Sequence, residues 1–176
     1  MVRKSVYKEG VAFEKALLSV LSEDYTTRDA TVLEQREGID FWVEERAFQV
    51  KYDIKAKNRL AVEYKTLEFG RDEYLLWGVP NSKTVFVFRK ADFMKCVSMW
   101  LDRLAIGAYG YYHTTVTSPT NSKTKVDILC VPIKDVLADY AKNSGARSGA
   151  EPPTLHDRFS ITWSDIMAYM PPDVPQ

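Results

Sequence analysis

Cysteine and histidine are scarce, with two of each, and their scarcity removes several kinds of chemistry. Cys96 and Cys130 lie far apart with no CxxC partner, so their spacing offers neither a zinc site nor a disulfide framework, and two buried reduced thiols are the simpler expectation. His113 and His156 have no acid or cysteine at metal-ligand spacing, which disfavours a one-metal histidine nuclease site. A nucleophilic-serine elbow and a glycine-rich phosphate loop are also missing. An excess of one charge is lacking too: 24 basic and 24 acidic residues cancel, which argues against a protein that coats nucleic acid by bulk electrostatics. No apolar run is long enough to cross a bilayer, and the charged stretch from Met1 to Gly10 lacks a signal-peptide core. The expectation is an intracellular protein, cytoplasmic or nucleoid-associated, without a membrane partner.

What is present suits one folded unit. At 176 residues a second core would leave each half barely able to offset its chain entropy, and 45% apolar against 27% charged residues excludes a disordered chain. Residues 1–176 are therefore expected to form a single α/β domain with a central mixed sheet flanked by helices. Val11, Phe13, Leu17, Leu18 and Leu21 recur at helical spacing and predict a first helix over Gly10 to Leu21. Asp24 to Leu33 reads as a strand and turn. Ile39 to Val43 and Ala47 to Asp53 read as a hairpin, and Leu60 to Leu67 as a further strand. Asp72 to Gly78 is expected to form a short helix, Thr84 to Phe88 a strand, and Ala91 to Leu104 a packed helix. Beyond these, Tyr109 to Thr117 and Val126 to Val131 predict two strands joined by a polar turn. Pro132 opens a helix that ends near Tyr140, Asn143 to Pro153 is a loop, and a last helix lies around Ser164 to Met170.

Chemistry concentrates in the hairpin. Side chains alternate along a strand, so Phe48, Val50 and Tyr52 are expected to face inward and Gln49, Lys51 and Asp53 outward. On the preceding strand the same alternation leaves Asp40 and Trp42 beside Gln49 and Lys51. An acid, a second oxygen ligand and a lysine in one cluster suit phosphodiester hydrolysis. Hard oxygens bind a divalent cation that polarises phosphate, and a lysine orients water or helps deprotonate it. Asp40 is the main candidate metal ligand, with Gln49 as a neutral ligand and the backbone carbonyl of Val50 as another. Lys51 is the water-activating cation. From Arg46 to Lys65 six basic residues face two acids, and Lys55, Lys57, Arg59 and Lys65 are candidates to hold a phosphate backbone. Trp42, a large ring on the same face, calls for a ligand, a partner subunit or cover from the first helix.

Asp40, eight intervening residues, then Gln49-Val50-Lys51 resembles the pattern of the PD-(D/E)xK nuclease superfamily, with glutamine in place of the second acid and Ile39 in place of the proline. The resemblance implies a restriction-endonuclease-like αβββαβ core. It would comprise a catalytic core over residues 1–105, with residues 106–176 as an extension for recognition or oligomerisation. It also implies Mg²⁺, with Mn²⁺ able to substitute, and double-stranded DNA as substrate. Many members carry a glutamate on the helix before the hairpin, and Glu14 occupies that place as an auxiliary metal-binding acid. Glu63 is the alternative source of the missing charge. Cutting both strands implies a homodimer or homotetramer. Glutamine at this position resembles some restriction enzymes and the tetrameric intron homing endonucleases, so it is compatible with activity; net neutrality and the additional C-terminal half favour a sequence-specific homing or restriction-like activity. A structure-specific Holliday junction resolvase remains open, as does a non-catalytic nucleic-acid- or protein-binding module on a nuclease fold.

Overall fold

A computed structural model describes residues 2–53, 57–117, 123–144 and 161–172, with side chains from Tyr7 onward. The first part of the chain forms α1 (Val2–Asp24), β1 (Thr27–Asp29), α2 (Val32–Arg36), β2 (Phe41–Val43), β3 (Arg46–Tyr52), β4 (Arg59–Val62) and α3 (Tyr64–Phe69). There follow β5 (Tyr74–Val79), a 3-10 turn (Pro80–Ser82), β6 (Thr84–Arg89), α4 (Lys90–Ala105), β7 (Tyr112–Thr117), β8 (Lys125–Pro132), α5 (Ile133–Asn143) and α6 (Trp163–Tyr169).

The protein is α/β. Its main sheet has five strands in the order β1-β2-β3-β5-β6, and β4-β8-β7 make a second, antiparallel sheet. In the main sheet only β3 and β5 run parallel. A parallel pair needs a crossover, and this one passes through β4 and α3. Both faces of the main sheet are covered. On one, Phe48, Leu76, Val85 and Val87 meet Phe13, Ala16, Leu17 and Leu21 of α1 and Ile166 of α6. On the other, Leu75, Trp77 and Phe88 meet Phe93 and Trp100 of α4, Leu60 and Leu129 of the second sheet, and Val136 of α5.

This double cover explains the main corrections to the sequence expectations. Tyr74–Val79 is a strand and not a helix: it lies between β3 and β6, all six residues are buried, and a doubly covered strand shows no polar alternation. The strand expected over Leu60 to Leu67 stops at Val62. Tyr64–Phe69 is helical, with Leu67 buried while Lys65, Thr66 and Glu68 are exposed. In the Asp24 to Leu33 region only Thr27–Asp29 is extended. Thr31 then caps α2 in a capping box with Glu34, whose carboxylate also pairs with Arg28. The strand expected from Tyr109 starts at Tyr112, after Gly110 turns at φ +89°. The expected turn at Ser118 to Lys125 and loop at Asn143 to Pro153 lie largely outside the described residues.

The hairpin that carries the candidate site turns through Glu44 and Glu45, since Val43 pairs with Arg46. Glu44 takes the left-handed conformation at φ 55°, which glycine or asparagine would normally occupy. Its backbone N–H donates to the Thr26 carbonyl and its carboxylate accepts from the Thr26 N–H, which offsets the strain and ties the turn to the start of β1.

Two glycines test this packing in opposite directions. A Cβ on Gly78 would lie 2.3 Å from Cζ of Phe13, so the ring of α1 rests on the glycine; one on Gly10 meets nothing within 4 Å. Gly78→Ala is expected to destabilise by about 1–3 kcal/mol through overpacking, and Gly10→Ala to stabilise by up to about 1 kcal/mol through helix propensity. Denaturant unfolding of the two variants checks both signs.

Candidate active site

The site begins where β2 stops short of β3. The register Phe41 to Phe48 continues outward to set Asp40 opposite Gln49, and the Asp40 N–H still donates to the Phe48 carbonyl at 2.8 Å. Beyond that point β3 has no strand on this edge. The N–H of Val50, which would otherwise be orphaned, donates to Oδ2 of Asp40 at 2.6 Å. Since N–H and C=O of one strand residue leave on the same edge, the Val50 carbonyl faces the same gap.

A carboxylate that accepts a backbone N–H from a strand lies near the plane of the sheet, within reach of groups from both faces. Glu14 approaches from the α1 face, anchored by its neighbour Phe13, which is fully buried and packs, tilted, against Tyr52 with ring centroids 4.7 Å apart. Lys51 approaches from the other face. Burial pushes the Glu14 carboxyl from 4.5 up to about 7, and the charges of Asp40 and Asp29 add to the effect. Asp40 is also raised by burial and, more weakly, by Asp72; the Val50 N–H and the Lys51 ammonium pull it back. Two desolvated carboxylates, one of which raises the other, favour a cation between them.

Gln49 and Lys51 share a face, as expected, but not a solvent-facing one. Gln49 is only 7% exposed, and its Oε1 is buried without a hydrogen-bond partner. Such an orphaned acceptor is costly unless a donor or a cation meets it. Lys51 is half-buried and loosely paired with Glu63, Nζ to Oε2 being 3.8 Å, so Glu63 balances the lysine and does not replace the missing acid. Asp40, Gln49, Lys51, the Val50 backbone and Glu14 are therefore gathered at one end of the hairpin. Their donor set, two carboxylates, an amide oxygen and a carbonyl, matches the hard-oxygen preference of Mg²⁺ or Mn²⁺. No cluster of three or more His, Cys, Asp or Glu side chains suited to a metal occurs among the described residues.

Sequence reasoning missed the buried pair behind this site. Oδ1 of Asp72 lies 2.7 Å from Nζ of Lys90, which also donates to the Gly70 carbonyl. A Cβ on Gly38 would stand 3.5 Å from Oδ1 of Asp72 and 3.7 Å from Nε2 of Gln49, so Gly38 leaves room for both side chains. The only sequence signal was a pair of glycines, Gly38 before the hairpin and Gly70 after α3.

The remaining candidates disperse. Trp42 shares the Gln49 face, but its cover is Arg28, 4.7 Å over the ring, with Ala30 and Ile39 against it, and not the first helix. Lys65 lies on α3 and pairs with Asp127 at 2.5 Å. Lys57 and Arg59 line a groove at the far end of β4. Lys55 lies outside the described residues. Comparison with protein-family models, curated proteins and solved structures finds no match.

The raised Glu14 carboxyl has a consequence for stability. Its folded-state value lies above its unfolded one, so stability is fully present below about pH 4.5 and is lost as pH rises through about 7. In a chelator, Glu14→Gln is expected to unfold at higher denaturant than wild type at about pH 8, by at most about 3 kcal/mol, with the difference shrinking below pH 4.5. Saturating Mn²⁺ is expected to stabilise wild type more than the variant, by about 2.7 kcal/mol at a hundred times Kd for a site present only when folded.

Proposed function

We propose that the protein is a Mg²⁺-dependent DNA endonuclease, with Mn²⁺ able to substitute, built on a restriction-endonuclease-like core. One observation carries the reading: β2 begins only at Phe41, and the carboxylate of the preceding Asp40 takes the Val50 N–H in the gap while Glu14 and Lys51 flank it from opposite faces of the sheet. The topology supports it. α1, the antiparallel run β1-β2-β3, the crossover through α3 and the parallel strand β5 follow the αβββαβ order, with β6 added at the edge and β4 diverted to the second sheet.

Asp40 and Glu14 would hold the cation with the Val50 carbonyl and Oε1 of Gln49. The cation, when bound, supplies charge stabilisation to the phosphoryl and leaving oxygens. Lys51 sits beside Asp40 on the open side of the hairpin, where its ammonium can orient the attacking water and offset charge growing on the phosphate. Glu63, at 3.8 Å, holds the Lys51 amine without locking it. The neutral Gln49 limits repulsion among the ligands, because a third carboxylate would join two that are already raised by burial. Cleavage of both strands would use two copies of the site in a homodimer or homotetramer.

Incubation of supercoiled plasmid with Mg²⁺ tests the reading. Wild type is expected to nick and linearise it, Lys51→Ala to lose at least about 100-fold in rate, and Asp40→Asn to lose activity and Mn²⁺ binding together. Cleavage by Lys51→Ala at the wild-type rate would remove the role given to that lysine. Failure of every protein to cut plasmid or a four-way junction, with DNA binding intact, would favour a non-catalytic module on the same fold.

A further inference from the structure

A second feature lies at the start of β4, beyond Glu63 as seen from Lys51. Glu63 meets Lys51, the Ala61 N–H donates to Oδ2 of Asp53 at 3.3 Å, and Arg59 stands two residues further along β4. Arg59 lies four positions before Glu63, about 13 Å along the strand at about 3.3 Å per residue. There the surface opens into a groove of about 680 Å³ between the start of β4, the 3-10 turn and the start of α5, a size typical of small-ligand sites. Phe86, Ile133 and Leu137 contribute apolar surface to it, and Lys57, Arg59 and Lys134 contribute positive charge. The one acid, Asp135, is engaged: its Oδ2 accepts the Tyr111 hydroxyl at 2.8 Å.

Tyr109 lines the same groove and is 97% exposed. Its backbone is pinned on both sides, which is unusual for so exposed a ring. The Gly110 carbonyl accepts from Nε of Arg59 at 3.0 Å, and a Cβ there would stand 3.0 Å from Cγ of Pro132. The Tyr111 hydroxyl also accepts from Arg103 at 2.8 Å, and Arg103 in turn is bound to the buried Asp139. The Ala108 N–H donates to the Arg103 carbonyl at 2.9 Å. An aromatic side chain on a held backbone, presented to solvent beside three cations and an apolar floor, has the chemistry of a stacking platform: a π-face takes a base, and the cations take its phosphates.

We propose that this groove binds an unpaired nucleotide of a DNA strand, with its base against Tyr109 and its phosphates on Lys57 and Lys134. The choice of DNA rests on the endonuclease reading; the choice of an unpaired base rests on the concave apolar floor, which a stacked base pair cannot enter. β4 leads from this groove to Glu63, which meets Lys51, and so links the groove to the candidate site.

Fluorescence anisotropy of a labelled oligothymidylate, in EDTA so that neither cleavage nor metal enters, tests the proposal. Tyr109→Ala is expected to weaken binding roughly 5- to 100-fold, the loss of one stacked base, and Tyr109→Trp to restore it. Lys134→Gln is expected to reduce the slope of log affinity against log salt by about 0.7. Circular dichroism melting is expected to match wild type, because both side chains are exposed. Wild-type affinity in Tyr109→Ala, or no binding by wild type, would overturn the groove assignment; equal losses on oligothymidylate and on a fully paired duplex would overturn the unpaired base. No cleavage of plasmid or four-way junction by wild type with Mg²⁺, with oligothymidylate binding still dependent on Tyr109, would refute the catalytic reading and leave the groove standing.

Discussion

The hydrogen bond from the Val50 N–H to Asp40 is the constraint on which the site depends. A sheet normally satisfies the N–H groups of an interior strand with a neighbouring strand. Here β2 is only three residues long against seven in β3, so a side chain completes the pairing and one strand edge is left open inside a covered sheet. That single substitution of carboxylate for backbone places a charge in the plane of the sheet, where helix α1 can bring Glu14 from one side and β3 can bring Lys51 from the other. Helix and hairpin are held in place by the apolar contacts of Phe13, Phe48 and Leu17, so the charges are positioned by the core and not by one another.

The polar groups near this gap form two layers of different character. Asp72 and Lys90 are nearly buried and compensate each other's charge at 2.7 Å, although the second Asp72 oxygen, Oδ2, has no hydrogen-bond partner, an arrangement costly to break. Asp40, Glu14 and Gln49 are not compensated in that way. Burial raises both carboxyls, and the amide oxygen of Gln49 has no partner. Uncompensated desolvation is tolerated in proteins chiefly where a ligand or a reaction uses it.

How much of this was legible in the sequence follows from what periodicity can register. The hairpin pattern, with Asp40, Gln49 and Lys51 on one face, could be read because alternation on β3 is strict, and the amphipathic stripes of α1 and α4 were clear for the same reason. Tyr74–Val79 could not be read as a strand, because burial on both faces erases alternation and leaves a run that suits either element. Tyr64–Phe69 was hidden by its length, six residues with one buried position. The solvent-facing role expected for Gln49 failed because a sequence does not reveal that a second sheet and α4 cover the other face. Asp72 and Lys90 were invisible as a pair, since their contact joins the loop before β5 to the start of α4. The glutamate of α1 came from resemblance and not from pattern; its position against Asp40 depends on how the helix packs.

The central claim is that Asp40, Glu14, Gln49 and the Val50 carbonyl form a binding site for a hard divalent cation. Anomalous scattering from a crystal grown with Mn²⁺ tests it most directly. The account predicts a peak about 2.1 Å from an oxygen of Asp40 and from the Val50 carbonyl, lost in Asp40→Asn crystals. A saturating Mn²⁺ concentration that leaves this gap without a peak would contradict it.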